Sequence, residues 1–119
     1  MAGTRTYGNL IAWQKGIDLV AEVYRETKDW PREEMFGLTS QVRQAAVLIP
    51  SNIAEGHGRI GPKAFVHHLS IAHGSLCEAK TQLRIARRLD FVNDAIFDGL
   101  LRQTAEVGRL LQGLIRSLR

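Results

Sequence analysis

The sequence predicts an all-α fold: an antiparallel up-down-up-down four-helix bundle with a kinked second helix, forming one domain over residues 1–119. Three observations carry that prediction. Apolar residues recur at alternating three- and four-residue steps in four separate stretches. Pro31, and the run of Gly56, Gly58, Gly61 and Pro62, punctuate the chain between stretches. The composition, 45% hydrophobic and 24% charged, is that of a globular core with no low-complexity segment. A domain of 119 residues buries roughly 65% of the surface its unfolded chain exposes, so it folds without disulfide staples.

The first stretch places Leu10, Trp13, Ile17, Val20 and Tyr24 on one helical stripe, with Asn9 as N-cap and an end near Asp29. Trp30-Pro31 stops it, because the residue before proline avoids the α region. Pro31 is then suited to the first turn of the second helix, where Glu33 and Glu34 meet the positive end of the macrodipole. That helix continues through Leu38, Val42, Ala45, Ile49 and Ile53, and Pro50 inside it removes the hydrogen bond to the Ala46 carbonyl. The third stretch is the clearest: Phe65, Leu69, Ala72, Leu76, Ala79, Leu83 and Ala86 keep a strict 4-3 spacing, the seam of bundle packing. Its alternating alanines require close approach of a neighbouring helix. The fourth, from Asn93 or Asp94, carries Phe97, Leu100, Thr104, Val107, Leu111, Leu114 and Leu118, widened by Leu101, Leu110 and Ile115. Helices of about 20 to 28 residues with short connections make a rod about 40 Å long. Leu19, Leu48 and Ile71 lie off the main stripes, either widening the core face or marking contacts between subunits.

The net charge of +4 is unevenly placed. Seven basic residues balance seven acidic ones through Arg59, whereas nine face only five beyond it. An excess confined to one half is compatible with an anionic partner and also with ordinary solubility. No apolar stretch approaches the roughly 20 residues that span a bilayer. The single Cys77 forms no internal disulfide, and Met1 to Gly8 do not read as a signal peptide, so a cytoplasmic location is expected.

Few residue patterns point to chemistry. His57, His67, His68 and His73 lack the Glu-x-x-His pairing by which bundles hold metal, so no metal or cofactor is expected. Cys77, beside the seam residue Leu76 and four residues from His73, reads as inert packing. The glycines of residues 56–61 follow no strand and so lack the context of a nucleotide loop. The expectation is a protein that is not an enzyme. The basic residues are more suggestive. Lys80, Arg84, Arg87 and Arg88 share one face of the third helix, and Arg102, Arg109 and Arg116 recur every seven residues along about 21 Å of the fourth. Such a stripe can follow a phosphate backbone. The plainer reading is a solvated flank, with Asp98 four before Arg102 and Glu106 three before Arg109 to neutralise it.

Ile49-Pro50-Ser51-Asn52-Ile53-Ala54-Glu55-Gly56-His57-Gly58-Arg59 resembles the I-P-x-N-I-A-E-G-x-G-R motif of the four-helix-bundle proteins encoded in bacterial 23S rRNA intervening sequences. The likeness extends to Trp13-Gln14-Lys15, Pro31-x-x-Glu34, Gln41, Arg43-x-Ala45-Ala46, Ile71-Ala72-x-Gly74-Ser75, Thr81-Gln82-Leu83 and Leu111-x-x-Leu114-Ile115-Arg116-Ser117-Leu118, nearly the whole chain. Ala105-Glu106-Val107-Gly108-Arg109 is also similar to the last helix of the accessory proteins of diversity-generating retroelements. The resemblance implies a homo-oligomer, a ring of five, without catalytic activity. It further implies possible partners in RNA or DNA, or in a reverse transcriptase. The chain departs from the family pattern at Lys80, where an acidic residue is commoner, and at Asp90, where glycine is commoner. Of the motif residues Pro50, Asn52, Glu55, Gly56, Gly58 and Arg59, with Arg43 beside them, most suit structural work. Asn52 suits a carbonyl freed by Pro50, and Glu55 suits an ion pair with Arg43 or Arg59. The function expected is a non-catalytic oligomeric scaffold whose Arg84, Arg88, Arg102, Arg109 and Arg116 meet RNA or an RNA-associated protein; the alternative is a module that binds only proteins.

Overall fold

The computed structural model describes residues 10–119, so Asn9, the expected first cap, lies outside the described residues. Four helices follow in order: α1 (Ile11–Glu26), α2 (Leu38–His57), α3 (Pro62–Arg88) and α4 (Asp94–Ser117), with a 3-10 turn at Arg32–Glu34. Each helix packs on two others, α1 and α3 both lying between α2 and α4. The result is a rod of 47 × 25 × 20 Å.

The α3 seam forms as its spacing predicts. Leu69, Ala72, Leu76, Ala79, Leu83 and Ala86 are buried, and Phe65 packs partly buried at the start. Each fully buried leucine contributes about 1.5–3 kcal/mol relative to exposure. The α4 seam is likewise buried at Leu100, Thr104, Val107, Leu111 and Ile115, with Asn93 Oδ1 accepting the Ile96 backbone N–H at 2.9 Å as its N-cap.

α1 departs from its predicted stripe. The buried line is Ala12, Gly16, Leu19 and Val23, whereas Ile17 and Tyr24 are exposed and Leu10, Trp13 and Val20 only flank the core. Leu19 is thus core, while Leu48 and Ile71 remain on the surface. The helix also ends earlier than Asp29. Thr27 Oγ1 donates back to the Val23 carbonyl at 2.8 Å, and the chain turns so that Trp30 is buried with its ring 5.7 Å from Phe91.

α2 starts later than Pro31. Glu33 and Glu34 belong to the 3-10 turn, and Met35 and Phe36 are exposed before Gly37. Glu34 Oε1 accepts the Leu38 N–H at 3.1 Å, supplying one of the orphan first-turn partners. A Cβ on Gly37 would stand 2.9 Å from that oxygen, so glycine there lets the carboxylate reach back. At the far end of α3, Asp90 takes the left-handed conformation (φ 62°), and Phe91 N–H bonds the Ala86 carbonyl at 2.9 Å. This is the reversal that usually employs glycine after a helix.

Candidate nucleic-acid interface

Two sets of residues were singled out by sequence, the Ile49–Arg59 motif and the basic stripes, and the fold puts them in different places.

The motif faces inward. A Cβ on Gly16 of α1 would lie 3.4 Å from Pro50 Cβ, so the proline ring packs where α1 presents only a hydrogen. Asn52 Nδ2 donates to Leu48 O at 2.9 Å, not to Ala46, and its Oδ1 stands 3.2 Å from His68 Nδ1 of α3. Gly56 is tighter still: a Cβ there would meet His68 Cβ at 2.5 Å and Phe65 Cδ1 at 3.1 Å. Pro50 therefore addresses α1, while Asn52 and Gly56 address α3. Gly58 closes α2 with its N–H on the Ala54 carbonyl at 3.1 Å.

The two charged residues do less. Glu55 pairs with Arg59 across an exposed turn at 2.6 Å. That hydrogen-bonded guanidinium holds the Glu55 carboxyl below the usual carboxylate range, against a smaller opposing effect of burial. Arg43 does not reach Glu55. Its Nε donates to Thr27 Oγ1 at 2.8 Å and its guanidinium lies 4.6 Å from the Tyr24 ring centroid, which ties α2 to the end of α1. His68, the partner of Asn52, was missed by sequence reasoning. Its signal is a seven-residue spacing, His68, Ser75 and Gln82, that sets polar side chains beside the α3 seam.

The basic stripes face outward. The carboxylates expected to neutralise them are engaged elsewhere or too distant. Glu106 lies 3.9 Å from Lys15 of α1 instead of pairing with Arg109, and Asp98 makes no ion pair with Arg102. Arg87 is held by Asp90 and Asp94, which raise its pKa through hydrogen bonds, Asp94 first. Among the described residues, Arg84, Arg88, Arg102, Arg109 and Arg116 have no carboxylate within 4 Å. Arg102 and Arg116 extend back along α4, each with Nη2 3.9 Å from where a Cβ of Gly99 or Gly113 would stand.

Two grooves border this face. One of about 540 Å³ runs between α3 and α4 and is lined by Lys80, Arg109 and Arg116 together with His73, Cys77 and Gln112. The other, about 460 Å³, gathers Arg84, Arg87 and Arg88 around Phe97 and Asp90. Cys77, expected as packing, is exposed here, with Sγ 3.9 Å from His73 Nδ1. Among the described residues no group of three or more His, Cys, Asp or Glu side chains could hold a metal ion, and no helix is long and apolar enough to cross a membrane. The groups with shifted pKa values are surface ones: Glu22, Arg25 and Glu26 on α1, Glu55, and Arg87.

The fold has a solved counterpart. The crystal structure of a protein of unknown function from the S23 ribosomal protein family of Bacteroides thetaiotaomicron superposes with a TM-score of 0.83 over 89% of this chain and 96% of that one, at 19% identity. At that identity the likeness concerns the fold. No curated protein matches the chain. The model of the 23S rRNA-intervening sequence proteins matches residues 8–113, which span the motif, the first three helices and most of α4, and the chain therefore belongs to that family.

Proposed function

We propose that this protein is a non-catalytic, cytoplasmic homo-oligomeric scaffold, a ring of five, whose α3–α4 face binds RNA through phosphate contacts. The observation that carries the proposal is the set of five arginines left without carboxylate partners on that face, while the acidic residues near them pair elsewhere or stand apart. An arginine with no internal partner keeps its charge available for phosphate, and each phosphate neutralised releases counterions. The antiparallel up-down course suits this reading, since it lays α4 beside α3 along their length; a bend in α2 is expected at Pro50, whose ring Gly16 of α1 leaves room for.

Self-association has its own support. Tyr24, Met35, Phe36, Val47 and Leu48 are exposed on the α1–α2 side, and Phe36 is 95% exposed. An apolar patch of that kind on a small protein marks a contact between protein surfaces. Placing assembly on α1–α2 leaves α3–α4 outward, so a ring repeats the basic face in each subunit and weak contacts add through multivalency. The likeness of Ala105–Arg109 to retroelement accessory proteins makes a reverse transcriptase a further partner to try.

The test compares RNA and DNA binding by the parent and by a variant with Arg102, Arg109 and Arg116 changed to Gln, between about 50 and 200 mM salt. Parent affinity falls steeply with salt, and the variant binds more weakly with a shallower slope. A parent that binds no nucleic acid at low salt, or a variant that binds as well as the parent, puts the protein-only reading first. Sedimentation at micromolar concentration that finds only a 13.3 kDa species refutes the assembly.

A further inference from the structure

The large apolar side chains left exposed on the helices are unevenly shared. α1 shows Ile11, Ile17 and Tyr24, α2 shows Val47 and Leu48, and α3 shows Ile71 and Ile85, whereas α4 shows none among the described residues. Apart from Ile11 they gather on two adjacent sides of the bundle that share α2, and α4, which does not pack on α2, lies diagonally across. On α1, Ile17 and Tyr24 each follow a core residue, Gly16 and Val23, on the side where the Arg43 guanidinium of α2 covers the Tyr24 ring. On α3, Ile71, Glu78 and Ile85 stand two positions after the seam leucines Leu69, Leu76 and Leu83, and so share one outer stripe. That stripe lies toward α2. Positions one before and two after a seam residue fall on the same side of a helix, about 100° and 160° round, and His68, one before Leu69, is the residue that meets Asn52 of α2.

Each side also carries one charge without an opposite. Arg43, half-buried, uses Nε on Thr27 and has no carboxylate within 4 Å; Glu78, exposed between Ile71 and Ile85, has no cation within 4 Å. Their heights agree. With the antiparallel course of the reading above, Arg43 stands nine residues from Asn52 and Glu78 ten from its partner His68, which sets the two charges within about 1.5 Å of one level along the rod. Ile17, next to the Gly16–Pro50 approach, and Ile71, three residues from His68, both fall at the level of Ile49.

We infer that the α1–α2 side of one protomer docks on the α2–α3 side of a second copy of this chain, Ile17 against Ile71 and Arg43 against Glu78. The inference rests on the self-association proposed above and names its surfaces. Rotation about an axis parallel to the rods adds no shift along them, so a residue meets in the neighbouring copy only what lies at its own level. An apolar pair and an opposite-charge pair, each matched in height, satisfy that condition. Either surface meeting its own counterpart at that level would oppose like charges. The contact is therefore head to tail, and because the two surfaces are adjacent sides of the bundle, successive copies turn about an axis on the α2 side and close. α4, diagonally across and free of exposed large apolar residues, then faces outward with its arginines.

Sedimentation of the intact chain over a range of concentrations, with disulfide trapping, tests the docking. Glu78→Arg alters an exposed side chain that has no ion-pair partner in its own protomer and raises the concentration for half-assembly by about tenfold or more. Asp98→Arg, the same change of charge at an exposed position of α4, leaves it unchanged. Arg43→Glu also weakens assembly, and Arg43→Glu combined with Glu78→Arg restores opposite charges and assembles better than either single variant. For trapping, Cys77→Ser is the background. Ile17→Cys with Ile71→Cys gives a ladder of covalent multimers on mild oxidation, while each change alone gives monomer. Within one chain the two positions cannot join, because α1 and α3 do not pack on each other. A Glu78→Arg protein that assembles like the parent overturns the docking and leaves self-association standing. So does a charge-swapped double variant no better than the singles, an Ile17→Cys protein that links to itself, or a double-cysteine protein that forms no ladder. A parent that stays monomeric overturns both readings.

Discussion

Replacing Gly56 by Ala tests whether the motif's glycine is a packing position. The added Cβ would stand 2.5 Å from His68 Cβ, an atom fixed close to the α3 backbone, and 3.1 Å from Phe65 Cδ1. Carbon atoms rest about 3.5–4.0 Å apart, so α2 and α3 must part locally by about 1 Å. Overpacking of this kind costs about 1–3 kcal/mol. The same movement stretches the 3.2 Å Asn52–His68 hydrogen bond, for a further loss of about 1 kcal/mol. Ala is the better helix former by about 1 kcal/mol, which offsets that last amount. The net expectation is a loss of about 1–3 kcal/mol, and with about 4 °C per kcal/mol for a domain of this size, a Tm lower by about 4–12 °C. Gly74→Ala is the internal control: it lies in the middle of α3, and its Cβ meets nothing within 4 Å, so propensity alone acts and Tm rises by about 2–4 °C. Both variants are melted at one protomer concentration, because self-association makes Tm concentration-dependent. A Gly56→Ala protein that melts at or above the parent refutes the close α2–α3 approach as the reason for that glycine.

Asn52→Leu leaves the His68 ring without its partner and lowers thermal stability by about 1–2 kcal/mol in denaturant melts; no change in midpoint would dismiss the bond. Glu55→Ala and Arg59→Ala move Tm little, since the pair is exposed. The folded-state pKa of Glu55 is lowered, so its small contribution is present above the ordinary carboxylate range and lost as pH falls through the lowered value. Glu26 runs the other way: burial first, then its hydrogen bond with Glu22, raise its pKa, so the stability linked to its proton is present at low pH and lost as pH rises through the raised value. Difference melts of Glu55→Gln and Glu26→Gln across that range show opposite slopes. Asp90→Gly relieves a left-handed residue and raises stability by about 1 kcal/mol, read as a later urea midpoint.

How much was legible in the sequence depends on what signalled each contact. The α3 seam could be read because large residues mark it at regular steps, and the off-seam Ile71 and Ile85 are too few to form a rival stripe. On α1 the bulkier stripe of Leu10, Trp13, Ile17, Val20 and Tyr24 is not the core face. Its true core line runs through Ala12 and Gly16, where the Pro50 ring of α2 comes close. A helix that presents small residues to a neighbour is packed tightly there, yet apolar periodicity weights size and so favours Trp13, Ile17 and Tyr24. The start of α2 was misplaced for a local reason: the Glu34 carboxylate satisfies Leu38 N–H across Gly37, a cap built from a residue four positions earlier.

The motif and the basic face show the same limit at the level of function. Glu55 meets Arg59, one helical turn away, whereas Arg43 stands twelve residues earlier on the same helix, about 18 Å along its axis, and is drawn to Thr27 and Tyr24 at the end of α1. Likewise Glu106, placed by spacing beside Arg109, is turned toward Lys15 across the α1–α4 contact. A single three-residue spacing on a helix contributes only about 0.2–0.5 kcal/mol, too little to hold a glutamate against a lysine on a neighbouring helix. The consequence is that Arg109 stays uncompensated at the rim of the groove that holds Cys77. The pairing that α4 loses to α1 is therefore one reason the proposed phosphate face keeps the charge of Arg109.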